Sequence, residues 1–363
     1  MYIKEIELNN FRNYKEQKVS FSRGVNIFIG KNAQGKTNLL EGIYLNAFGK
    51  SFKNVKDKEL IKFGEEYCRI KAFSESEEGE KTTEIVIKND GRKGIKKDGV
   101  KISKTSELLD RIFIIIFSPE DLRIVKDEPE KRRRFINREL CQIRAGYLSD
   151  LNDYGRILKQ RNIYLKEKQI DTDLLDIWDR QLAACGTRIV RKRSQFVERI
   201  DEISRKIHSG ITEGTEHLEL KYEASIAPAE NLEEVFYETL VGTREDDIRN
   251  GTTGRGPHRD DIRISADGID LRRFGSQGQQ RTAALSLKLS EIKIIEEEKG
   301  EKPILLLDDV LSELDNDRQL MLIQSLGENQ MFITTTEIME SVASRLPKGK
   351  YFKIVEGQVA SEI

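Results

Sequence analysis

The chain has 363 residues, of which 34% are charged and 37% hydrophobic, and its formal net charge is −1. This length corresponds to two domains, or to one domain with a large insertion. The near-neutral charge gives no general argument for a nucleic-acid partner, so any such surface has to be a local patch. No apolar run is long enough to span a membrane, and the N-terminal segment lacks a signal-peptide core. Both observations predict a cytoplasmic protein with no membrane partner.

The first 120 residues are predicted to be mainly β structure. The short apolar run 25–29 ends at a glycine, as a buried strand does. Residues 82–88 are rich in β-forming side chains, and the Asp-Gly pairs at 90–91 and 98–99 predict the tight turns of hairpins. The apolar run 112–117 predicts a further buried strand.

Residues 121–255 are predicted to form a mainly helical lobe. The segment 118–121 combines a hydroxyl, a proline and two carboxylates, which is typical of a helix start. Apolar residues then recur at three- and four-residue spacing over 147–165 and 175–207. This spacing predicts two long helices packed as an antiparallel pair. Residues 210–256 show no clear period.

Residues 256–363 return to an alternating α/β pattern, with strands predicted at 262–264, 304–307 and 331–334 and helices between them. Such alternation favours a parallel sheet with helices on its faces. The predicted organisation is therefore 1–120 and 256–363 as the two halves of one α/β unit, with the helical lobe inserted between them.

The strongest functional signal is a glycine-rich loop after the first buried strand. Its residues fit the phosphate-loop pattern GxxxxGK[ST]; they are Gly30, Lys31, Asn32, Ala33, Gln34, Gly35, Lys36 and Thr37. Backbone N–H groups of such a loop, and the positive end of the following helix, bind phosphate groups. Lys36 is predicted to reach the β- and γ-phosphates, and the Thr37 hydroxyl to bind Mg²⁺. The chain is therefore expected to bind ATP, the alternative being a plain glycine turn.

A second signal is a pair of carboxylates at the end of the apolar strand 304–307. Ligands of open α/β sheets bind at the carboxyl ends of the strands. Asp308 is predicted to hold Mg²⁺ through water, and Asp309 to orient or deprotonate the attacking water. The alternative is a turn followed by a helix cap, which the phosphate loop makes the weaker interpretation.

A third signal is the small, flexible segment Ser276, Gln277, Gly278 and Gln279, which directly precedes a strongly helical pattern. Taken alone, it is either a flexible loop or a helix N-terminus that binds an anion. Its place before the paired aspartates resembles the signature loop of ABC-type ATPases. That resemblance implies two subunits that enclose two ATP molecules. The signature loop of each subunit then acts in trans on the γ-phosphate held by its partner.

The sequence departs from the ABC pattern at two positions. The three threonines 334–336 occupy the place of the switch histidine of that class, and Asp309 stands where a glutamate is usual. Both departures imply slow ATP hydrolysis. We therefore expect a weak ATPase that uses hydrolysis as a switch, and leave open whether it is best described as an enzyme.

Five stretches spread along the chain together resemble the bacterial RecF family. They are Leu8–Tyr14, Phe117–Leu122, Arg132–Phe135, Gly256–Asp261 and Ser276–Arg281. The resemblance implies an ABC-type ATPase head with a P-loop sheet, an antiparallel β part and an inserted helical lobe. It also implies an ATP-dependent homodimer that binds double-stranded DNA near single-strand gaps during repair, replication and the SOS response. RecR is the implied direct partner, RecO and RecA are indirect partners, and RecA loading is the outcome.

Other function classes stay open from the residues alone. A transporter ATPase subunit shares the phosphate and signature loops but normally carries the switch histidine. A structural-maintenance or Rad-like tether needs much longer coiled coils, and a metabolic kinase has no need of residues 276–279.

Several further residues have two interpretations at the sequence level. The basic clusters 131–134 and 188–193 either contact DNA phosphates or pair with neighbouring acids. By analogy with the ATPase class, Arg12 and Asn13 are expected on the adenine side of the nucleotide. His258 is expected to have a structural or coupling role near the nucleotide site.

Overall fold

The computed structural model describes residues 1–53, 55–109, 111–226, 228–336, 346 and 348–362. Contacts between Cα atoms divide the chain into two compact units, Met1–Leu122 with Glu291–Ile363 and Arg123–Ser290. This division groups residues 256–290 with the middle of the chain. The three-segment organisation expected from the sequence stays a prediction.

The first unit contains an antiparallel sheet in the order β2-β1-β4-β5-β6-β7. Its strands are β1 (Tyr2–Phe11), β2 (Tyr14–Ser20), β4 (Tyr67–Ser76), β5 (Gly79–Lys88), β6 (Lys93–Lys97) and β7 (Val100–Ile102). The two Asp-Gly turns predicted from the sequence are confirmed, because they join β5 to β6 and β6 to β7.

The second sheet of this unit has the order β15-β14-β3-β13-β12-β8, and its described strands run parallel except for β15. The strands are β3 (Val25–Ile29), β8 (Ile114–Phe117), β12 (Ile304–Asp308), β13 (Met331–Thr335), β14 (Gly349–Val355) and β15 (Gln358–Glu362). The predicted parallel sheet is therefore present. Its central strand β3 leads directly into the phosphate loop.

Helix α1 (Lys36–Phe48) packs against both sheets of the first unit. Its apolar residues are distributed around the whole helix, as in a helix that is buried on all sides. Leu39 and Ile43 belong to the same buried cluster as Leu8 on β1 and Phe28 on β3. The packing fixes the start of α1 at the carboxyl end of β3. Helix α9 (Asn316–Ser325) and the end of the helix that runs from Gln277 to Lys299 also belong to this unit.

The second unit is mainly helical. Its helices are α2 (Pro129–Ile143), α3 (Tyr147–Tyr164), α4 (Thr172–Ile211), α5 (Leu232–Gly242), α6 (Arg244–Asn250) and α7 (Leu271–Phe274), and α8 (Gln277–Lys299) starts in it. The predicted antiparallel pair is confirmed as α3 and α4. The buried Arg161 near the end of α3 donates to the buried Asp179 near the start of α4 at 2.6 Å.

Two local predictions from the sequence were wrong. Ser118 and Asp121 bond to each other's backbone and form only a short 3₁₀ turn, and α2 begins at Pro129. The strand predicted at 262–264 is β10 (Asp261–Ala266), but it does not join the parallel sheet. It pairs antiparallel with β9 (Leu218–Glu223) and β11 (Ile269–Asp270). The sequence did not indicate this pairing, because β9 lies in the segment that showed no period. Within the described residues, no helix has the length and apolar character needed to cross a membrane.

Candidate nucleotide-binding site

The phosphate loop connects β3 to α1 with a backbone that only some residues tolerate. Ala33 and Gly35 have positive φ values of 63° and 113°. A Cβ atom at Gly35 would lie 2.6 Å from Nδ2 of Asn13, so the loop needs glycine here for its space as well as for its conformation. The second glycine of the motif therefore allows Asn13 to approach the loop.

Neighbouring segments hold the phosphate loop from outside. Asn13 Nδ2 donates to the Gln34 carbonyl at 3.0 Å, and the buried Tyr14 hydroxyl donates to the Gly35 carbonyl at 3.0 Å. The turn between β14 and β15 adds a backbone bond from Gly357 to the Gln34 carbonyl at 2.9 Å. These bonds occupy carbonyls on the outer side of the loop and so fix its shape before a ligand binds.

Lys36 lies across its own loop. Its Nζ donates to the carbonyls of Gly30 at 2.5 Å and Lys31 at 3.0 Å. Burial lowers the pKa of Lys36, and the nearby charges of Asp309 and Asp308 oppose that shift. The ammonium group is thus held at the mouth of the loop beside two carboxylates.

Thr37, Asp308, Thr334 and Asp309 form a connected polar group. The hydroxyls of Thr37 and Thr334 both donate to Asp308 Oδ1, at 2.8 Å and 2.9 Å, and the Asp309 N–H donates to the Thr334 hydroxyl at 3.0 Å. Burial raises the pKa of Asp308, and the two hydroxyl donors oppose the shift. The sequence motifs, separated by 271 residues, therefore meet at the carboxyl ends of β12 and β13.

A cavity of about 260 Å³ lies over the phosphate loop. Its walls are formed by Asn32, Ala33, Gln34, Gly35, Lys36, Thr37, Asn38, Lys53, Asp309 and Thr334. Sequence reasoning missed Asn38 and Lys53. Asn38 donates to Asn13 Oδ1 at 2.9 Å and accepts from Lys53 Nζ at 3.0 Å. Asn38 directly follows the motif, which gave a weak signal, whereas no pattern marks Lys53.

Arg12 is engaged beside the loop by a buried acid. Its Nε and Nη2 donate to the two carboxylate oxygens of Glu41 at 2.8 Å and 2.7 Å, and Glu41 has no exposed surface. The hydroxyl of Ser51 bonds to the same carboxylate. Arg12 therefore locks α1 to the end of β1, and the adenine-side role expected for Arg12 and Asn13 stays a prediction.

The oxygen atoms of Thr37 and Asp308 suit a hard cation such as Mg²⁺. Mg²⁺ binds oxygen ligands and is commonly held by one or two carboxylates together with substrate phosphates. In the described part of the chain, no cluster of three or more His, Cys, Asp or Glu side chains could hold a metal ion. Any Mg²⁺ at this site would therefore take further ligands from phosphates and water.

The signature loop lies in the second unit, at the start of α8. Ser276 accepts at its hydroxyl from the Gln279 N–H at 3.2 Å, and Gln279 accepts at its side-chain oxygen from the Ser276 N–H at 3.0 Å. These reciprocal bonds form a capping box. Ser276 and Gln277 are exposed, and Gly278 and Gln279 are half-buried. The predicted action of this loop in trans stays a prediction.

The basic clusters are largely used inside the second unit. Arg132 is buried and donates to both carboxylate oxygens of Asp261 at 2.7 Å and 2.8 Å. Arg193 is also buried and donates to the Pro257 carbonyl at 2.6 Å. His258 bonds to the Tyr154 hydroxyl at 2.6 Å, and its burial lowers its pKa. Arg132 and Arg193 therefore stabilise the fold and do not present their charge to a partner.

Comparison with known proteins agrees with this geometry. The family model for the RecF/RecN/SMC N terminal domain matches residues 2–348. The chain is 47% identical to the DNA replication and repair protein RecF of Agathobacter rectalis, over 99% of both chains. It is 42% identical to the RecF protein of Clostridium kluyveri, over 99% of this chain and all of the other.

Solved structures give the same assignment. The structure of the recombination mediator protein RecF-ATP in the RecFOR pathway has a TM-score of 0.92 and 41% identity, covering 100% of this chain and 97% of the other. An SMC head bound to the C-winged helix domain of ScpA shares the fold, with a TM-score of 0.58 and 17% identity. The predicted RecF/SMC head-like ATPase fold is therefore confirmed. This chain belongs to the RecF family.

Proposed function

We propose that this chain is an ATP-dependent DNA-binding protein of DNA replication and recombinational repair. The bond between Thr37 and Asp308 carries the proposal, because it brings the phosphate loop and a strand-end carboxylate together, as the binding of nucleotide with Mg²⁺ requires. The full-length similarity to RecF proteins gives this nucleotide site its biological setting. Relatives of known structure include RecF with ATP.

ATP is proposed to bind along residues 30–37. The Lys36 ammonium exchanges its two carbonyl partners for β- and γ-phosphate oxygens, which are stronger acceptors because they are charged. Thr37 and Asp308 hold Mg²⁺ against the phosphates. The nucleotide thereby replaces bonds that the loop makes with itself.

ATP hydrolysis is proposed to be slow. Asp309 lines the cavity and is the candidate for orienting the attacking water. Thr334 occupies the switch position, but its hydroxyl already bonds to Asp308 and to the Asp309 N–H. A hydroxyl in that position supports the two aspartates and is a poor proton acceptor at neutral pH. The site therefore favours a long-lived ATP state.

The ATP state is proposed to be a homodimer. Ser276, Gln277, Gly278 and Gln279 of one chain contact the γ-phosphate held by the partner, so ATP binds the dimer more tightly than the monomer. The dimer engages duplex DNA beside a single-strand gap. RecR, with RecO and RecA acting indirectly, is the proposed set of protein partners, and the proposed location is the cytoplasm.

Fluorescence anisotropy of a labelled gapped duplex tests the proposal. The protein is titrated with a slowly hydrolysed ATP analogue, with ADP and without nucleotide. Tight, salt-sensitive binding only with the ATP analogue is the expected result. Lys36→Ala is the matched control, since it removes the phosphate contact and should give weak binding under all three conditions.

Equal, weak binding of wild-type protein under all three conditions overturns the DNA-binding proposal. Binding of the ATP analogue itself, measured with a fluorescent derivative, then shows whether the nucleotide site still stands.

A further inference from the structure

The hairpin of β6 and β7 carries a local excess of positive charge in a chain that is almost neutral. Residues 88–104 contain seven lysine or arginine residues and two aspartates. Both aspartates are already paired: Asp90 with Arg92, and Asp98 with the buried Arg111 at 2.6 Å. The remaining charge therefore comes from lysines on the hairpin and its ends.

Four of these lysines form no ion pair within the described part of the chain. They are Lys88, Lys97, Lys101 and Lys104. Lys88, Lys101 and Lys104 are exposed, and the side chain of Lys96 is 53% exposed. These positions together present a basic edge to the solvent.

Charges on the outer face of the antiparallel sheet follow a regular row. The strand register places residues of opposite sign directly beside each other from β2 to β6, in the order Lys18, Glu7, Lys71, Glu84, Lys96. The row ends on β7 with Lys101, which lies directly opposite Lys96. The alternation is thus broken at one place only along this row, at the edge.

The Lys96–Lys101 pair is unfavourable in the isolated protein, because like charges directly opposite on neighbouring strands repel each other. The carboxylate of Glu84 lies 3.4 Å from Lys96 Nζ, but it also forms an ion pair with Arg69 at 2.5 Å. Its charge therefore does not neutralise Lys101. An anionic partner placed over this edge removes the repulsion. A plain alternative is that edge lysines only prevent strand-to-strand association.

We infer that the β6–β7 hairpin, with Lys96 and Lys101 at its centre, is a contact surface for the phosphate backbone of DNA. The inference rests on the proposed function and adds a location to it. Duplex DNA presents closely spaced negative phosphates, which match the lysines of the hairpin. The nearby acids Asp90, Asp98 and Glu84 already pair with arginines. Backbone contacts of this kind position the DNA without reading its sequence.

The test uses the full chain with a slowly hydrolysed ATP analogue and the labelled gapped duplex, over a series of salt concentrations. The double variant Lys96→Gln/Lys101→Gln is expected to lower the slope of log K against log salt by about 2, and to weaken binding at least about tenfold at 0.1 M salt. Lys4→Gln/Lys18→Gln removes the same charge from β1 and β2, near the other edge of the sheet, and should bind as wild type, because each of these lysines has an acid within 2.7 Å.

Three outcomes overturn the inference, and they are distinguishable. Wild-type protein that fails to bind DNA overturns the proposed function as well. Wild-type binding that both double variants retain overturns the hairpin alone and favours edge protection, which reduced solubility of Lys96→Gln/Lys101→Gln would show directly. If Lys96→Gln/Lys101→Gln loses the binding to phosphatidylglycerol vesicles that wild type shows, but still binds DNA, the edge is assigned to a lipid surface.

Discussion

Gln279 of the signature loop donates its side-chain amide to Glu216 at 3.0 Å, and Glu216 uses its other carboxylate oxygen to contact His208 at 3.3 Å. His208 in turn bonds to Ser286 on α8 at 3.1 Å. Glu216, in the segment between α4 and β9, and His208, near the end of α4, thus hold the helix that presents the signature loop at Gln279 and Ser286.

Glu216→Ala removes the support of Gln279 while leaving the phosphate loop untouched. We expect the ATP-induced dimer to dissociate roughly fivefold more readily, the effect of one lost hydrogen bond, with unchanged binding of a fluorescent ATP analogue. Light scattering over a dilution series measures the dimer. Glu219→Ala alters an exposed acid on the neighbouring strand and serves as the control; an equal loss in both variants would argue against a positioning role for Glu216.

Ser276→Arg tests the action of the signature loop on the partner subunit. A bulky cation at this exposed position blocks the close approach of two chains, so the ATP-induced dimer should be lost while ATP binding to the monomer is retained. Ser209→Arg makes the same change at the exposed end of α4 and should dimerise normally. A full ATP-induced dimer of Ser276→Arg would disprove the trans-site assignment.

Asp308→Asn is expected to raise the stability of the protein and to abolish its ATP hydrolysis. Burial raises the pKa of Asp308, so the ionised form required for Mg²⁺ destabilises the protein without nucleotide. Asparagine keeps the acceptor for Thr37 and Thr334, and we expect the free energy of unfolding to rise by about 1 kcal/mol. Calorimetry should show this gain in stability, and a phosphate-release assay should show loss of Mg²⁺-dependent hydrolysis. A lower unfolding temperature would show that the charge is favourable in the fold.

Arg12→Ala leaves the carboxylate of Glu41 buried with weaker partners. Breaking a buried ion pair from one side costs about 3 kcal/mol, so chemical denaturation should show a marked loss of stability. Arg23→Ala removes an ion pair with Glu75 whose arginine is 71% exposed, and it should leave the unfolding midpoint unchanged. Lys53 Nζ also lies 3.5 Å from the Glu41 carboxylate. Equal midpoints for the two variants would show that Ser51 and Lys53 stabilise Glu41 without Arg12.

His208 gives the stability of the second unit a defined pH dependence. Burial lowers the pKa of His208 below its ordinary value of 6.5, and the bond to Glu216 opposes the shift. The unfolded chain therefore takes up a proton before the folded one does as the pH falls. Stability is complete above pH 6.5 and is lost as the pH falls through the lower folded value. Denaturation of His208→Gln between pH 5 and pH 8 should show a free energy of unfolding that changes less steeply with pH than that of wild type. An unchanged pH dependence would exclude His208 as its source.

The sequence was most informative where a motif requires a particular backbone. The phosphate loop, β3 and the strand before Asp308 could be predicted, because glycines, a short apolar run and strand-end carboxylates depend on local structure alone. From the sequence, Thr334 was notable only because it stands where related ATPases carry a histidine. Its two bonds to the aspartates depend on the pairing of β12 with β13, which no local pattern specifies.

Long-range partners account for what the sequence did not reveal. Nothing near Glu41 in the sequence indicates that Arg12 pairs with it, and Lys53 reaches the cavity only because of where the chain turns after α1. The strand β10 has an ordinary alternating pattern, but its sheet is decided by β9, which looked irregular. Partner choice in sheets thus limited the prediction more than the identification of strands did.

The position of β3 in its sheet has a consequence for synthesis on the ribosome. Both neighbours of β3, β13 and β14, lie near the other end of the chain, and Gly357 closes the bond to the phosphate loop. Translation at about 5–20 residues per second separates the appearance of the two ends by roughly 15–60 s. During that interval the phosphate loop has no sheet to support it. We therefore expect the phosphate loop to reach its final geometry only after β13, β14 and Gly357 have left the ribosome.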